Sequence, residues 1–108
     1  MQRINPLGIR SLLFVPCVKR RFFEKILSLE GDDRPDGVIF DLEDSVHPDF
    51  KEQARENLRE FFESEGNRRA VFDKYTVLIR VNSYQTEHFK EDIRLANEIR
   101  PHFLMLAK

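Results

Sequence analysis

Cysteine is nearly absent. Cys17 is the single one in 108 residues, which excludes an internal disulfide framework and fits a reducing compartment. Excess charge of either sign is missing as well: 18 Lys and Arg stand against 19 Asp and Glu, and charged residues make up 34% of the chain. No basic field recommends nucleic acid, and no net acidity recommends disorder. Long apolar runs are also lacking. The stretch from Leu12 to Cys17 after Arg10 is too short for the apolar region of a signal peptide, and Pro16 is large where a small residue should precede a lipidated cysteine. There is no internal repeat and no low-complexity segment. These absences point to a cytoplasmic protein with no membrane or nucleic-acid partner, acting on a small molecule.

What is present is a set of short, nearly continuous apolar runs. Leu12–Pro16, Gly37–Phe40, Thr76–Asn82 and Phe103–Lys108 each end in a polar residue or a turn. Runs that do not alternate belong to strands covered on both faces, and so to a parallel sheet. Between them lie three segments of helical period. The first, from about Lys19 to Leu29, carries Phe22, Phe23, Ile26 and Leu27; the second, Pro48 to about Ser64, carries Phe50, Ala54, Leu58, Phe61 and Phe62; the third, Thr86 to Ile99, carries Phe89, Ile93 and Ala96. Pro48 suits a first helical turn, Thr86 suits an N-cap, and the Gly31–Gly37 cluster stops the first helix.

The predicted order is β-α-β-α-β-α-β. The eight-fold β/α barrel has this repeat and needs roughly 250 residues. Residues 1–108 are therefore read as the N-terminal half of one TIM-type (β/α) barrel domain, with about four parallel strands and three helices. A small, complete doubly wound sheet is the alternative.

The most informative stretch is Gly37-Val38-Ile39-Phe40-Asp41-Leu42-Glu43-Asp44-Ser45-Val46, a buried-type strand that opens into three carboxylates within four residues. Acids at a sheet edge can hold a metal or act on a substrate. Arg80, at the end of the third run, can grip a carboxylate in two parallel hydrogen bonds, or else pair with Glu43 or Asp44 across neighbouring strand ends. Asp41 can brace its loop, and Asp44 can help start the helix at Pro48. The basic loop Cys17-Val18-Lys19-Arg20-Arg21, leading to Lys25, offers a helix N-terminal seat for phosphates, or is a solvated basic turn. His47, His88 and His102 lack zinc-type spacing and read as surface or capping residues.

Four motifs occur in one order: Arg10-Ser11-Leu12-Leu13-Phe14-Val15-Pro16; Phe23-Glu24-Lys25; Asp41-Leu42-Glu43-Asp44-Ser45-Val46-His47-Pro48-Asp49 with Lys51-Glu52-Gln53-Ala54-Arg55; and Arg80-Val81-Asn82. Together they closely resemble the citrate lyase β-subunit and malyl-CoA lyase family, of the HpcH/HpaI aldolase type. The resemblance implies a β/α barrel of the phosphoenolpyruvate/pyruvate-binding type and a homo-oligomer. It also implies magnesium-dependent cleavage or formation of a carbon-carbon bond in a 3-hydroxyacyl-coenzyme A substrate of malyl, citramalyl or citryl type.

By the same resemblance Arg80 holds the substrate carboxylate, and Lys19 and Lys25 contact the coenzyme, with Phe14 near its adenine or pantetheine. Glu43 and Asp44 stand behind direct magnesium ligands that lie beyond Lys108. Cys17 departs from the family pattern of glycine or alanine and reads as a buried small residue, and Ala107 stands where proline is usual. A phosphorelay receiver needs an acidic pair where this chain has Val15-Pro16-Cys17, and a haloacid dehalogenase needs Asp-x-Asp after its first strand. The remaining rival is a non-catalytic relative that keeps the scaffold.

Overall fold

A computed structural model describes residues 11–107; Arg10 and Lys108, the outer ends of the motifs above, lie outside them. Four strands, β1 (Leu12–Pro16), β2 (Gly37–Asp41), β3 (Thr76–Val81) and β4 (Phe103–Leu106), form one parallel sheet in the order β1-β2-β3-β4. Each strand therefore pairs with the next in sequence. With right-handed crossovers, that order puts every connecting helix on the same face. A doubly wound sheet would reverse direction and cover both faces. The observed order is that of a barrel wall.

The helix-covered face carries Val15, Val38, Phe40, Val77, Ile79 and Val81, packed with Phe23, Ile26, Ala54, Leu58, Phe61, Leu95 and Ile99. Phe40 is the hub, with its ring 5.8 Å from Phe23, 5.3 Å from Phe62 and 6.3 Å from Phe61. The opposite face follows the register Phe14–Ile39–Leu78–Phe103, then Pro16–Asp41–Arg80–Met105. Its middle is covered by neighbouring side chains, with Ile39 fully buried. Its margins are not, since Phe14 is 46% and Phe103 40% exposed. Leu104 and Leu106 share the helix-side register of Ile79 and Val81 and are also exposed, because no helix of the described residues follows β4.

Gly37 starts β2 because nothing larger fits. A Cβ there would stand 2.8 Å from Leu12 Cδ2 and 2.9 Å from the Thr76 carbonyl oxygen.

The crossovers hold four helices where three were expected: α1 (Arg21–Ser28), α2 (Lys51–Glu63), α3 (Glu65–Lys74) and α4 (Phe89–Ile99). The extra one is α3. Ser64 leaves helical geometry at ψ 117, ends α2, and accepts a hydrogen bond on Oγ from the Asn67 amide, which caps the next helix. Only Val71 of α3 is buried, so no apolar stripe announces it. Its C-terminal end is fastened to α1, with Lys74 Nζ donating to the Leu27 carbonyl at 2.9 Å and the buried Tyr75 hydroxyl donating to the Ile26 carbonyl.

Two helix starts also differ from expectation. Pro48–Phe50 is a separate 3-10 turn, in which His47 Nδ1 accepts from the Asp49 amide at 3.1 Å; this imidazole, and not Asp44, is the cap. Thr86 closes a turn by donating to the Ser83 carbonyl at 2.8 Å, and α4 begins three residues later. Arg100 ends α4 in the left-handed region at φ 60, its amide 2.7 Å from the Ala96 carbonyl oxygen.

Candidate functional site

Parallel pairing brings Asp41 and Arg80 level at the C-terminal ends of β2 and β3. Arg80 Nε donates to Asp41 Oδ1 at 2.9 Å and Nη2 donates to Oδ2 at 2.7 Å. Asp41 also accepts from the Glu43 amide at 2.9 Å and the Ser45 amide at 3.1 Å. Burial opposes its charge, but these donors outweigh it and hold the carboxyl down at about 2. Donating to Asp41 raises the Arg80 pKa further, so the guanidinium is a fixed cation.

Phe14 supplies a second constraint from β1, with its ring centroid 4.9 Å from Arg80 Cζ. Glu43 Oε1 lies 3.7 Å from Arg80 Nε. The alternative pairing expected for Arg80 was with Glu43 or Asp44; its principal partner is instead Asp41. Asp44 is exposed and reaches Arg80 only through its field. With one edge of the guanidinium on Asp41 and one face on Phe14, Nη1 makes no hydrogen bond among the described residues.

Phe14, Asp41, Glu43 and Arg80 therefore meet at the C-terminal end of the sheet, with Phe14 reaching Arg80 from the layer below. The expected cationic cluster does not assemble in the same way. Arg20 turns to α2, where Nε donates to Asn57 Oδ1 at 3.1 Å and the guanidinium pairs with Glu60. Arg21 stacks over Phe22 at 5.3 Å. Lys19, in the β1–α1 loop, and Lys25, a turn into α1, are exposed and make no side-chain hydrogen bond or ion pair among the described residues. Cys17 is fully buried, and burial, then the charges of Asp41 and Asp92, push its thiol well up. It is no nucleophile in this state.

A buried polar network under the site escaped sequence reasoning. Lys51, Asn82 and Asp92 are all less than a tenth exposed and converge on the chain between β2 and α2. The signal was available in the helical stripes. Lys51 occupies the inward row Lys51–Ala54–Leu58–Phe61, and Asp92 the row Phe89–Asp92–Ala96–Ile99, each a charge where the pattern calls for an apolar side chain.

No group of three or more His, Cys, Asp or Glu able to hold a metal ion occurs among the described residues. Asp41 has already committed its oxygens to Arg80 and to two amides, and Glu43 leans on the same guanidinium. These residues do not make a magnesium centre by themselves. Nor is any helix of the described residues long and apolar enough to cross a membrane.

Comparison with known proteins bears on the fold and the family. Two curated relatives from Cereibacter sphaeroides, both named (3S)-malyl-CoA thioesterase, are 37% identical over 84 residues and 32% identical over 99 residues. They match 78% and 92% of this chain but 26% and 32% of their own length, so the chain spans about a quarter to a third of them. Protein CitE from Mycobacterium tuberculosis, solved in complex with magnesium and acetoacetate, has the same fold with a TM-score of 0.67 at 24% identity, over 95% of this chain and 38% of its own. RipC from Yersinia pestis matches with a TM-score of 0.60 at 27% identity, over 94% of this chain and 35% of its own. The four parallel strands are the N-terminal half of that barrel type. The model of the HpcH/HpaI aldolase/citrate lyase family matches residues 10–108, and the chain belongs to that family.

Proposed function

We propose that this chain provides the substrate-carboxylate end of a magnesium-dependent carbon-carbon lyase acting on a 3-hydroxyacyl-coenzyme A thioester of malyl, citramalyl or citryl type. The observation that carries the reading is the posture of Arg80. Asp41 and Phe14 fix a guanidinium that keeps one edge for a ligand, at the strand ends where barrel enzymes work. A carboxylate approaching Nη1 and Nη2 meets a preformed planar fork and needs little reorganisation. In retro-aldol cleavage the 3-hydroxyl gives its proton to a base and becomes the carbonyl of an oxo acid whose carboxylate stays on Arg80, while the C2–C3 electron pair moves to C2 as a thioester enolate that takes up a proton to become the shortened acyl-coenzyme A.

Lys19 and Lys25 are the proposed contacts of the coenzyme, their exposed ammonium groups free to meet phosphate. Phe14 is proposed to lie near the adenine or pantetheine of the coenzyme as well as supporting Arg80. Glu43 and Asp44 are proposed to act on the metal only through intervening water or ligands, since they do not form a centre themselves. The names of the curated relatives favour a second reading, hydrolysis of the thioester with the carbon skeleton intact. A cytoplasmic location, supported by the single free thiol, and the homo-oligomer that the family resemblance implies complete the proposal.

The test is to incubate the whole protein with magnesium and each of the three thioesters. An oxo acid plus a shortened acyl-coenzyme A supports the lyase. Free coenzyme A plus the intact hydroxy acid supports the thioesterase, and no turnover at high enzyme concentration supports a non-catalytic relative.

A further inference from the structure

The geometry of the buried network points to Lys51 and Asp92 as positioning residues for the site, an inference that rests on the functional reading above. Lys51 Nζ donates to the carbonyls of Leu42 at 3.1 Å and Glu43 at 2.8 Å. Asn82 Nδ2 donates to the same Leu42 carbonyl at 2.9 Å and to Asp92 Oδ2 at 2.7 Å, and the Asn82 amide reaches Oδ2 at 2.8 Å. The other oxygen of Asp92 accepts from Arg55 Nη1 at 3.1 Å. One buried carboxylate thus ties α4 to α2 and to the residue two places after Arg80.

The result is that residues 42 and 43 have every backbone polar atom engaged. The Leu42 amide donates to the Arg80 carbonyl at 3.0 Å, the Glu43 amide donates to Asp41 Oδ1 at 2.9 Å, and both carbonyls take Lys51. The peptide that carries Glu43 is therefore held directly beside Arg80, with the Glu43 carboxylate 3.7 Å from Arg80 Nε.

Packing alone does not account for these side chains. A buried ammonium and a buried carboxylate lose hydration that apolar residues in the same helical rows would never have had, and well-packed apolar replacements of such groups often stabilise. What apolar replacements cannot do is hold two carbonyls and an amide in one register. Asp41 depends on that register, because two of its hydrogen bonds come from the loop amides of Glu43 and Ser45. If the loop slips, Asp41 loses its brace and Arg80 loses its aim.

The experiment compares Lys51→Met, Lys51→Arg and Asp92→Asn in the whole protein, with Glu98→Gln, which touches only the exposed pair with Arg59, as control. One readout is solvent exchange of the Arg80 Nε–H proton by NMR. The other is turnover of malyl-coenzyme A. Lys51→Met and Asp92→Asn should each speed the exchange by about tenfold or more. Each should lower kcat by about ten- to a hundredfold with KM within about twofold, the scale of a misplaced group. Lys51→Arg, which still donates to both carbonyls, should recover most of both, and the control should move neither.

If Lys51→Met and Asp92→Asn lower only the melting temperature, with exchange and kcat unchanged, the network is structural and the inference is overturned. Should Lys51→Met not fold, the near-isosteric Asp92→Asn decides alone. A wild-type protein that turns over no thioester removes the functional reading, and Arg80 exchange then settles whether the network positions the site.

Discussion

Asp41 and Arg80 stand level on adjacent strands and meet through two hydrogen bonds of 2.9 and 2.7 Å. The acid is 1% exposed and its partner's side chain 22%. The pair is therefore asymmetric, with Asp41 sunk into the loop it braces and Arg80 reaching out to where a substrate can arrive. Under the proposed function, a cation held this way has its direction set before the substrate binds.

Arg80→Lys keeps the charge and loses the fork. Lysine cannot satisfy Asp41 and a ligand carboxylate from one plane, so substrate and transition-state binding should both weaken, by about 1.5 to 3 kcal/mol. That is roughly a ten- to 150-fold fall in kcat/KM. An unchanged kcat/KM in steady-state assays of the whole protein would show Arg80 to be a structural ion pair.

Acid should find Asp41. Its carboxyl lies at about 2 in the folded protein against an ordinary 3.8, so the unfolded chain takes up the proton first. The stabilisation is complete above about pH 4 and is lost as pH falls toward 2. At roughly 1.4 kcal/mol per unit this amounts to about 2 kcal/mol. Urea unfolding followed between pH 6 and 2 should show that loss in the wild type and a shallower one in Asp41→Asn. Superimposable acid limbs would remove Asp41 from the account.

Gly37→Ala should cost about 1 to 3 kcal/mol, the range for overpacking. Leu12 can turn its side chain away, but the Thr76 carbonyl belongs to the neighbouring strand and cannot. Thermal unfolding checks it, and a stability unchanged within error would mean that β2 shifts freely against β3.

The strands were legible in the sequence because both faces of β2 and β3 are buried for most of their length, leaving apolar runs without alternation. The acidic stretch was legible for a related reason, since a strand end is where such a run meets solvent. Asp41 was harder to place. Sequence order cannot say which of three nearby carboxylates stands level with Arg80; strand register can, and it selects Asp41 over Glu43 and Asp44. The helix α3 was hidden because its anchoring is polar and terminal, through Ser64 and Lys74. Lys51 and Asp92 were hidden because a charge inside an apolar stripe reads as noise until its partners are known to come from other elements.

The 108-residue chain taken alone should self-associate. Both β1 and β4 are edges of the sheet, each paired on one side only among the described residues. Their apolar side chains are uncovered: Leu12 and Phe14 on one face of β1, and Phe103, Leu104 and Leu106 on both faces of β4. Open parallel edges with exposed apolar side chains recruit further strands, and charged blockers that natural edges use are missing from these two runs. The same chain should show no thioester turnover and only weak magnesium binding, because no group of metal-ligating residues forms among the described residues. Sedimentation velocity across a concentration series decides the first point. A compact monomer with cooperative unfolding at every concentration would mean that the two edges are covered in solution, and the barrel-wall reading would give way to a self-sufficient domain. Calorimetric titration with magnesium, and an assay with malyl-, citramalyl- and citryl-coenzyme A, decide the second; turnover of any of them by this chain would place the reactive groups on residues 1–108 and overturn the division of labour argued for Glu43 and Asp44.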